Sequence, residues 1–264
     1  MRIWYQLLSS ETGMRDFIAA TQKLVDRALF PGTTIEVRGT TQGVLGDQYR
    51  LFYNYDTREV IDNALRIRRE GGYDAFVLAN SLDPALVELR EMLDIPVLSF
   101  MEINCFTACT MGDRFGLIVP NRKMIARYRE IPIGYGLRDR LAACEPLFFD
   151  DVRKQDDAFV DPKVADAVVA ETMKAARRAI DQGSEVLIAP GPPGALLAQR
   201  GVFQIDGVPL LDTYTLLAKA AESAVAMHKL TGVCVSRHML YESPSADLVR
   251  KVGAAYKVDA LREG

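Results

Sequence analysis

The chain has 264 residues, enough for one large domain or for two domains of about 130 residues. Hydrophobic residues make up 49% of it and charged residues 25%, which is the composition of an ordinary soluble globular protein. A net charge of −3 with mixed signs argues against a nucleic-acid surface, because such a surface needs a concentrated field of basic side chains.

The beginning of the chain and its cysteines indicate a cytoplasmic protein. Residues 1–5 run straight into a strand pattern, without the apolar region and cleavage site of a secretory leader. No uninterrupted apolar run reaches the 18 or more residues, roughly, of a membrane span. The spacing of the cysteines does not match a secreted disulfide scaffold, so free thiols are expected at Cys105, Cys109, Cys144 and Cys234.

Strand-like and helix-like segments alternate from one end of the chain to the other. Strands are predicted at residues 2–8, 33–38, 75–79, 96–100, 115–119 and 145–149. Helices are predicted at residues 11–29, 56–70, 121–130 (with Pro132 after its end), 162–182 and 213–230. A glycine-bearing loop is predicted at residues 39–47, after the second strand, and a charged loop at residues 150–157, after the sixth strand. This alternation predicts parallel strands with crossover helices on both faces of each sheet.

One segment of this pattern occurs twice, about 110 residues apart. Ala79–Leu86 aligns with Ala189–Leu196, and the strand Ile95–Leu98 aligns with Val208–Leu211. The repeat predicts an α/β fold of two pseudo-symmetric Rossmann-like halves, each with a mostly parallel sheet flanked by helices and with the active cleft between them. We expect residues 1–101 together with 214–264 to form one half, and residues 102–213 to form the other.

The cleft should lie beyond the carboxyl ends of the strands, where ligands bind in such sheets. Backbone and side-chain donors at these ends could hold a carboxylate or an amide, and a helix N-terminus after the glycines could hold an anion. The same residue types are common in plain structural turns. The candidate substrate-binding residues are Gln6, Ser9, Ser10, Ser81, Asn121, Pro190, Gly191, Gly194 and Thr213.

Three residues are candidates for the chemistry itself: Asn80, Glu102 and Tyr214. Asn80 stands at the tip of a buried strand, where it could orient a substrate or simply form a turn. Glu102 opens a helix and could be a general base or a helix cap. Tyr214 could offer a hydroxyl to the cleft. Cys105 is a further nucleophile candidate, although a buried core thiol is the alternative.

No metal or organic cofactor is expected. The two histidines, His228 and His238, are not spaced as metal ligands, and the chain has neither a zinc-binding motif nor a phosphate-binding glycine loop. The expected partner is a small molecule that carries carboxylate or amide groups.

Several short motifs resemble the aspartate/glutamate/hydantoin racemase superfamily, especially its hydantoin and allantoin racemase branch. They are Asp83–Leu86, Asp94–Val97, Met101 with Glu102, Gly112–Leu117, Tyr135–Leu137 and, more weakly, Arg237–Tyr241. The resemblance implies two Rossmann-like halves around a small-molecule site, no organic cofactor and a homo-oligomer. It also implies catalysis by two cysteines, one from each half, on opposite faces of an acidic carbon.

The sequence departs from that pattern at the two catalytic positions. The first family cysteine aligns with Asn80 and the second with Pro190 or Gly191, so neither position holds a thiol. Neither an asparagine nor a proline can exchange a proton at neutral pH. We therefore expect a cofactor-independent isomerase or lyase that acts at a carbon next to a carbonyl, and not a two-cysteine racemase. The alternatives are a hydrolase or decarboxylase on the same loops, or a catalytically silent ligand-binding protein.

Overall fold

A computed structural model describes residues 1–149, 152–258 and 261 of the chain, and its strands form two parallel sheets. The first sheet contains β1 (Arg2–Ser10), β2 (Thr34–Thr40), β3 (Ala75–Leu78) and β4 (Val97–Ser99). The second contains β5 (Phe115–Val119), β6 (Leu141–Pro146) and β7 (Val186–Ile188). A short antiparallel pair follows, β8 (Gln204–Ile205) and β9 (Val208–Pro209).

Helices separate the strands. They are α1 (Arg15–Asp26), α2 (Arg50–Glu70), α3 (Leu86–Met92), α4 (Phe100–Met111), α5 (Ile125–Gly134), α6 (Pro162–Asp181), α7 (Pro192–Gln199), α8 (Thr213–Thr231) and α9 (Ala246–Tyr256). Short 3-10 helices lie at Arg122–Met124, Arg138–Arg140, Val152–Phe159 and Met239–Tyr241. Among the helices described, none is long and apolar enough to cross a membrane.

The two sheets repeat one topology. The strand order is β2-β1-β3-β4 in the first sheet and β6-β5-β7 in the second, so β5, β6 and β7 correspond to β1, β2 and β3. The counterpart of β4 is reduced to a single parallel bridge between Leu187 and Leu210. Leu210 belongs to the segment that the sequence repeat aligned with β4, and the predicted fold class is confirmed.

The helices that follow the fourth strand position of each half connect the two halves. Helix α4 packs against β4, β5 and β7, while α8 packs against α4, β3 and β4. One buried apolar cluster accordingly includes Ile3 and Val77 from the first sheet together with Leu117 and Val186 from the second. The domain boundaries near residues 102 and 213 stay a prediction.

The structure corrects three details of the sequence-based assignment. The sixth strand is Leu141–Pro146, because Ala143 and Cys144 supply its buried positions against β5, whereas the more apolar run after Pro146 follows the strand. Pro132 lies inside α5 and not beyond it; it is buried in the last turn, near where the helix ends. Residues 154–157 of the charged loop belong to the 3-10 helix Val152–Phe159, and residues 150–151 lie outside the described chain.

The Asp83 carboxylate fixes the turn after β3 against the start of α4. It accepts hydrogen bonds from the backbone N–H groups of Met101 (2.8 Å) and Glu102 (3.1 Å) and from the Tyr135 hydroxyl (2.5 Å). A carboxylate at a helix N-terminus also interacts favourably with the helix dipole. Burial raises the pKa of the Asp83 carboxyl to about 6, and the three donors act against that shift. The aspartate of the Asp-Pro motif is thus an anchor that joins the two halves.

Replacing Asp83 with alanine should lower the free energy of unfolding by about 2–3 kcal/mol, because the variant leaves buried donors without their acceptor. Urea unfolding measures this loss, which should be larger below the pKa of about 6 than above it, because burial raises that pKa and ionisation of the carboxyl therefore destabilises the folded protein. Asp139→Ala is the matched control, since Asp139 is exposed. Equal stability of the two variants would contradict the anchoring role.

Candidate functional site

A cavity of about 50 Å³ lies where the carboxyl ends of the two sheets meet. A single buried water needs roughly 10–15 Å³ on this scale, so the enclosed space suits a few atoms of a small ligand. Both halves contribute to its walls. The lining residues are Leu7, Ser9, Met14, Phe17, Val44, Asp47, Ala79, Asn80, Ser81, Leu82, Pro120, Tyr128, Leu147, Gln155, Pro190, Gly191, Pro192, Pro193 and Tyr214.

The turn after β3 brings Asn80 and Ser81 to the cavity. The Asn80 carboxamide oxygen accepts from the N–H of Leu82 (2.9 Å), and its carbonyl oxygen accepts from the N–H of Asp83 (3.0 Å). These bonds fix the turn at the cavity wall. The Ser81 hydroxyl contacts the Tyr128 hydroxyl of α5 at 2.6 Å, which ties the turn to the other half.

The turn after β7 reaches the cavity from the opposite half. Gly191 has φ +75° and ψ −163°, a conformation that favours glycine, and it precedes Pro192 at the start of α7. The Gly191 N–H donates to the Tyr214 hydroxyl at 3.0 Å, and the Tyr5 hydroxyl donates to the Tyr214 carbonyl oxygen at 2.9 Å. Burial raises the pKa of the Tyr214 phenol, so it keeps its proton at neutral pH.

The loop after β2 places a carboxyl group, that of Asp47, in the cavity wall. The loop is held at one end by Thr40, whose hydroxyl donates to the Leu8 carbonyl oxygen (2.8 Å), and at the other by Arg127 of α5, which donates to the Asp47 carbonyl oxygen (3.0 Å). Burial, reinforced by the Asp56 charge, raises the pKa of the Asp47 carboxyl to about 6, against the opposing effect of Arg127. The group can therefore both hold and release a proton near neutral pH.

The 3-10 helix Val152–Phe159 closes the cavity beside α1. Its Gln155 side chain lines the cavity and is 2% exposed. Asp156 accepts from the N–H of Phe17 (2.7 Å) and more weakly from that of Asp16 (3.4 Å), which attaches the segment to the first turn of α1.

Of the residues that the sequence singled out, six line the cavity: Ser9, Asn80, Ser81, Pro190, Gly191 and Tyr214. Five of the substrate-binding candidates lie behind the wall instead. The Gln6 amide donates to the carbonyl oxygens of Leu7 and Gly39, and Ser10 accepts from Gly13 and donates to Thr41. Asn121 caps the short 3-10 helix through the N–H of Met124.

The remaining two of those candidates, Gly194 and Thr213, are buried outside the cavity wall. Gly194 approaches the Ala189 carbonyl oxygen so closely that a Cβ there would collide with it, which explains the glycine. Thr213 is 1% exposed, and its carbonyl oxygen accepts from the Asn104 amide at 3.3 Å.

Two of the candidates for chemistry also lie outside the cavity wall. Glu102 forms an ion pair with Arg90 (2.6 Å), so its carboxylate serves the structure around α4. Cys105 is fully buried in the core, where burial raises the pKa of its thiol well above the usual range. None of the four cysteines lines the cavity.

Sequence reasoning missed three polar residues of the wall: Asp47, Tyr128 and Gln155. Asp47 ends the glycine-bearing loop that was expected near the cleft, so its position was a usable signal. Tyr128 lies within a predicted helix and Gln155 within a predicted charged loop, and neither carries a motif. In the part of the chain that the structure describes, no three His, Cys, Asp or Glu side chains gather in a way that could hold a metal ion.

Comparison with known proteins identifies the family. The family model for Asp/Glu/hydantoin racemase matches residues 9–221. A hydantoin racemase from Paenarthrobacter aurescens is 24% identical over 231 residues, which covers 86% of this chain and 93% of that protein.

Solved structures share the fold. An allantoin racemase from Klebsiella pneumoniae superposes with a TM-score of 0.76 at 23% identity and covers 93% of this chain and 94% of its own. Arylmalonate decarboxylase superposes with a TM-score of 0.56 at 15% identity, over 85% of this chain and 92% of its own. The two facing halves, the shared cavity and the extent of the sequence match lead to one conclusion: this chain belongs to the Asp/Glu/hydantoin racemase family.

Proposed function

We propose that this protein is a cofactor-independent enzyme that moves a proton at a carbon next to a carbonyl group, in a small metabolite that carries an amide or a carboxylate, and that it does so without cysteine. The observation that carries the proposal is the Asp47 carboxyl in the wall of a cavity that no cysteine lines. Cytoplasmic location and a homo-oligomeric state stay predictions from the sequence.

Asp47 would serve as the base. Its ionised carboxylate would remove the proton from the substrate carbon, and the electron pair of the broken C–H bond would move onto the carbonyl oxygen to form an enolate. The protonated carboxyl would then return a proton, or a deuteron after exchange with solvent, to the same carbon. A pKa of about 6 supports both steps, because proton transfer is most efficient when the pKa of the catalytic group lies near the working pH.

The donors of the first turn would stabilise the enolate oxygen. They are the N–H groups of Asn80 and Ser81 and the linked hydroxyls of Ser81 and Tyr128. Fixed donors in a water-poor site stabilise developing negative charge without reorganising. Tyr214, whose phenol is bonded to Gly191, is the candidate for delivering a proton from the side of the second turn.

Decarboxylation is a second candidate, because one proton-carrying carboxyl group suffices for it. In that reaction the C–CO2 bond breaks, the electron pair is left on the carbon as an enolate, and a protonated Asp47 would supply the proton. One relative in fold is named as an arylmalonate decarboxylase, whereas the others are named as racemases of hydantoin or allantoin.

Replacing Asp47 with asparagine should reduce kcat/KM by about 10²–10⁴-fold, the usual contribution of a general acid or base. Deuterium uptake at the substrate carbon, measured by NMR across hydantoins, allantoin, amino acids and substituted malonates, provides the assay. Asp62→Asn is the control, since Asp62 lies on α2 and is not part of the cavity wall. Unchanged exchange in the Asp47 variant would remove this residue from the mechanism.

The pH profile should separate the two candidate reactions. If Asp47 is a base, activity falls about tenfold for each pH unit below its pKa of about 6, because the protonated carboxyl cannot accept a proton. If Asp47 is the acid of a decarboxylase, activity falls above that pKa. A profile that is flat through this range would contradict both roles.

The profile should also respond to Asp56. The Asp56 charge helps to raise the pKa of Asp47. Asp56→Asn should therefore lower that pKa, and the pH at which kcat/KM begins to fall should move to a lower value. The control is Asp157→Asn, an exposed carboxylate outside the wall. If kcat/KM falls at the same pH in the Asp56 variant as in the unchanged protein, another group controls the pH dependence.

A further inference from the structure

A second cavity lies between helices α2, α3 and α9, and we call it the α9 cavity. Its volume is about 220 Å³, and none of its described lining residues also lines the cavity at the two turns. Each helix contributes aliphatic side chains, among them Ile61 and Leu65 of α2, Leu89 and Met92 of α3, and Val252 of α9. Within the described chain its wall presents only apolar atoms, so a ligand would find no hydrogen-bond partner there.

The α9 cavity exists because α9 does not bury its apolar face. Ser245 caps the helix by accepting from the N–H of Leu248 (3.3 Å), and Val249 and Val252 continue one apolar face at helical spacing. A face of this kind normally packs against the body of a protein. Leu248 and Val252 are nevertheless 51% and 38% exposed. The helix therefore leaves a gap over α2 and α3 that a small molecule can enter from solvent.

Water is a poor occupant of the α9 cavity. A buried water molecule usually makes about two to four hydrogen bonds, which an apolar wall cannot supply. An engineered apolar cavity of roughly 150 Å³ in another protein stays dry and binds benzene. Since the α9 cavity is larger than that, it has room for one aromatic ring with a small substituent.

The charges near the α9 cavity have mixed signs. The exposed Glu88 is among its lining residues, and an adjoining recess that shares Met92 and Val249 with it also contains Arg68 and Glu91. These side chains select neither a cation nor an anion. A charged ligand would lose its hydration on entering the apolar space, whereas an uncharged one gains from the burial of apolar surface.

We propose that the α9 cavity is a second binding site, and that it takes one small, uncharged, apolar molecule such as a substituted benzene. Its volume, its apolar wall and the unburied face of α9 carry this inference. The bound molecule would cover the exposed apolar side chains of α9 and hold the helix against α2 and α3. The site does not depend on the proposed function, because the two cavities share none of the described lining residues.

The test uses toluene as the probe and the methyl NMR spectrum of the full-length protein as the readout. Toluene should shift the methyl signals of Ile61, Leu65 and Val252 saturably, while those of Leu7 and Val44 in the cavity at the two turns stay in place. Benzoate and benzylammonium, which add a negative or a positive charge to a similar ring, should bind at least about tenfold more weakly.

A cavity-filling variant tests the location. Val252→Phe should weaken toluene binding at least about tenfold, because the larger side chain occupies the cavity from a partly exposed position. Without ligand this variant should be at least as stable as the unchanged protein, since its ring buries apolar surface that α9 leaves exposed. Ala255→Phe is the matched control: it adds a ring at an exposed position of the same helix outside the wall and should leave binding unchanged.

Several results would overturn the inference. Toluene that produces no saturable shift, or shifts confined to Leu7 and Val44, would show that the α9 cavity does not bind it. Shifts of Ile61 and Leu65 that persist in Val252→Phe would place the ligand elsewhere. Equal binding of benzoate or benzylammonium would refute the uncharged ligand class. If the wall signals instead move with protein concentration in the absence of toluene, a second copy of the chain covers α9 and the small-molecule site is refuted.

Discussion

Two hydrogen bonds that involve tyrosine hydroxyls hold the cavity together, one for each turn. Ser81, in the turn after β3, contacts Tyr128 of the second half, whereas Gly191, in the turn after β7, donates to Tyr214 of α8, the helix that packs on the first sheet. Each half thus holds the turn of the other. Since both turns stand at the carboxyl ends of their strands, this reciprocal arrangement determines where a ligand can lie and which backbone donors it can meet.

Under the proposed function, the same arrangement would let the family fold act without cysteine at its two turns. Asn80 and the segment Pro190–Pro193 shape the cavity but carry no side chain that exchanges a proton near neutral pH. In the proposed function, the Asp47 carboxyl of the loop after β2 would take the place of the thiols, since burial raises its pKa to about 6. The thiol of Cys105 cannot replace it, because that side chain is sealed in the core and burial disfavours its ionised form.

The sequence predicted the fold well because the relevant signals are local and repeated. Alternation of strands and helices, together with the match between Ala79–Leu86 and Ala189–Leu196, was sufficient to place both turns at one cleft. The site was predicted only in part. Gln6 and Thr213 have the right chemistry and lie at the right strand ends, yet the Gln6 amide bonds backbone carbonyl oxygens and Thr213 is buried outside the cavity wall.

Orientation and burial account for the residues that the sequence did not identify. Whether Glu102 faces a ligand or Arg90 depends on a tertiary ion pair, and no local pattern encodes that choice. Asp47 has an ordinary sequence context, and its raised pKa arises from burial by segments distant in the chain and from Asp56 on α2. Gln155 becomes noticeable only when its amide is found buried without an acceptor.

The most direct test of the account is an NMR titration of the side-chain carboxyl carbon of Asp47, assigned by its loss in an asparagine variant. The account predicts an apparent pKa of about 6 in the free protein and a further shift when a small ligand fills the cavity. A value near that of an exposed aspartate, unchanged by ligands that bind, would show that Asp47 faces solvent and that the proton is carried elsewhere.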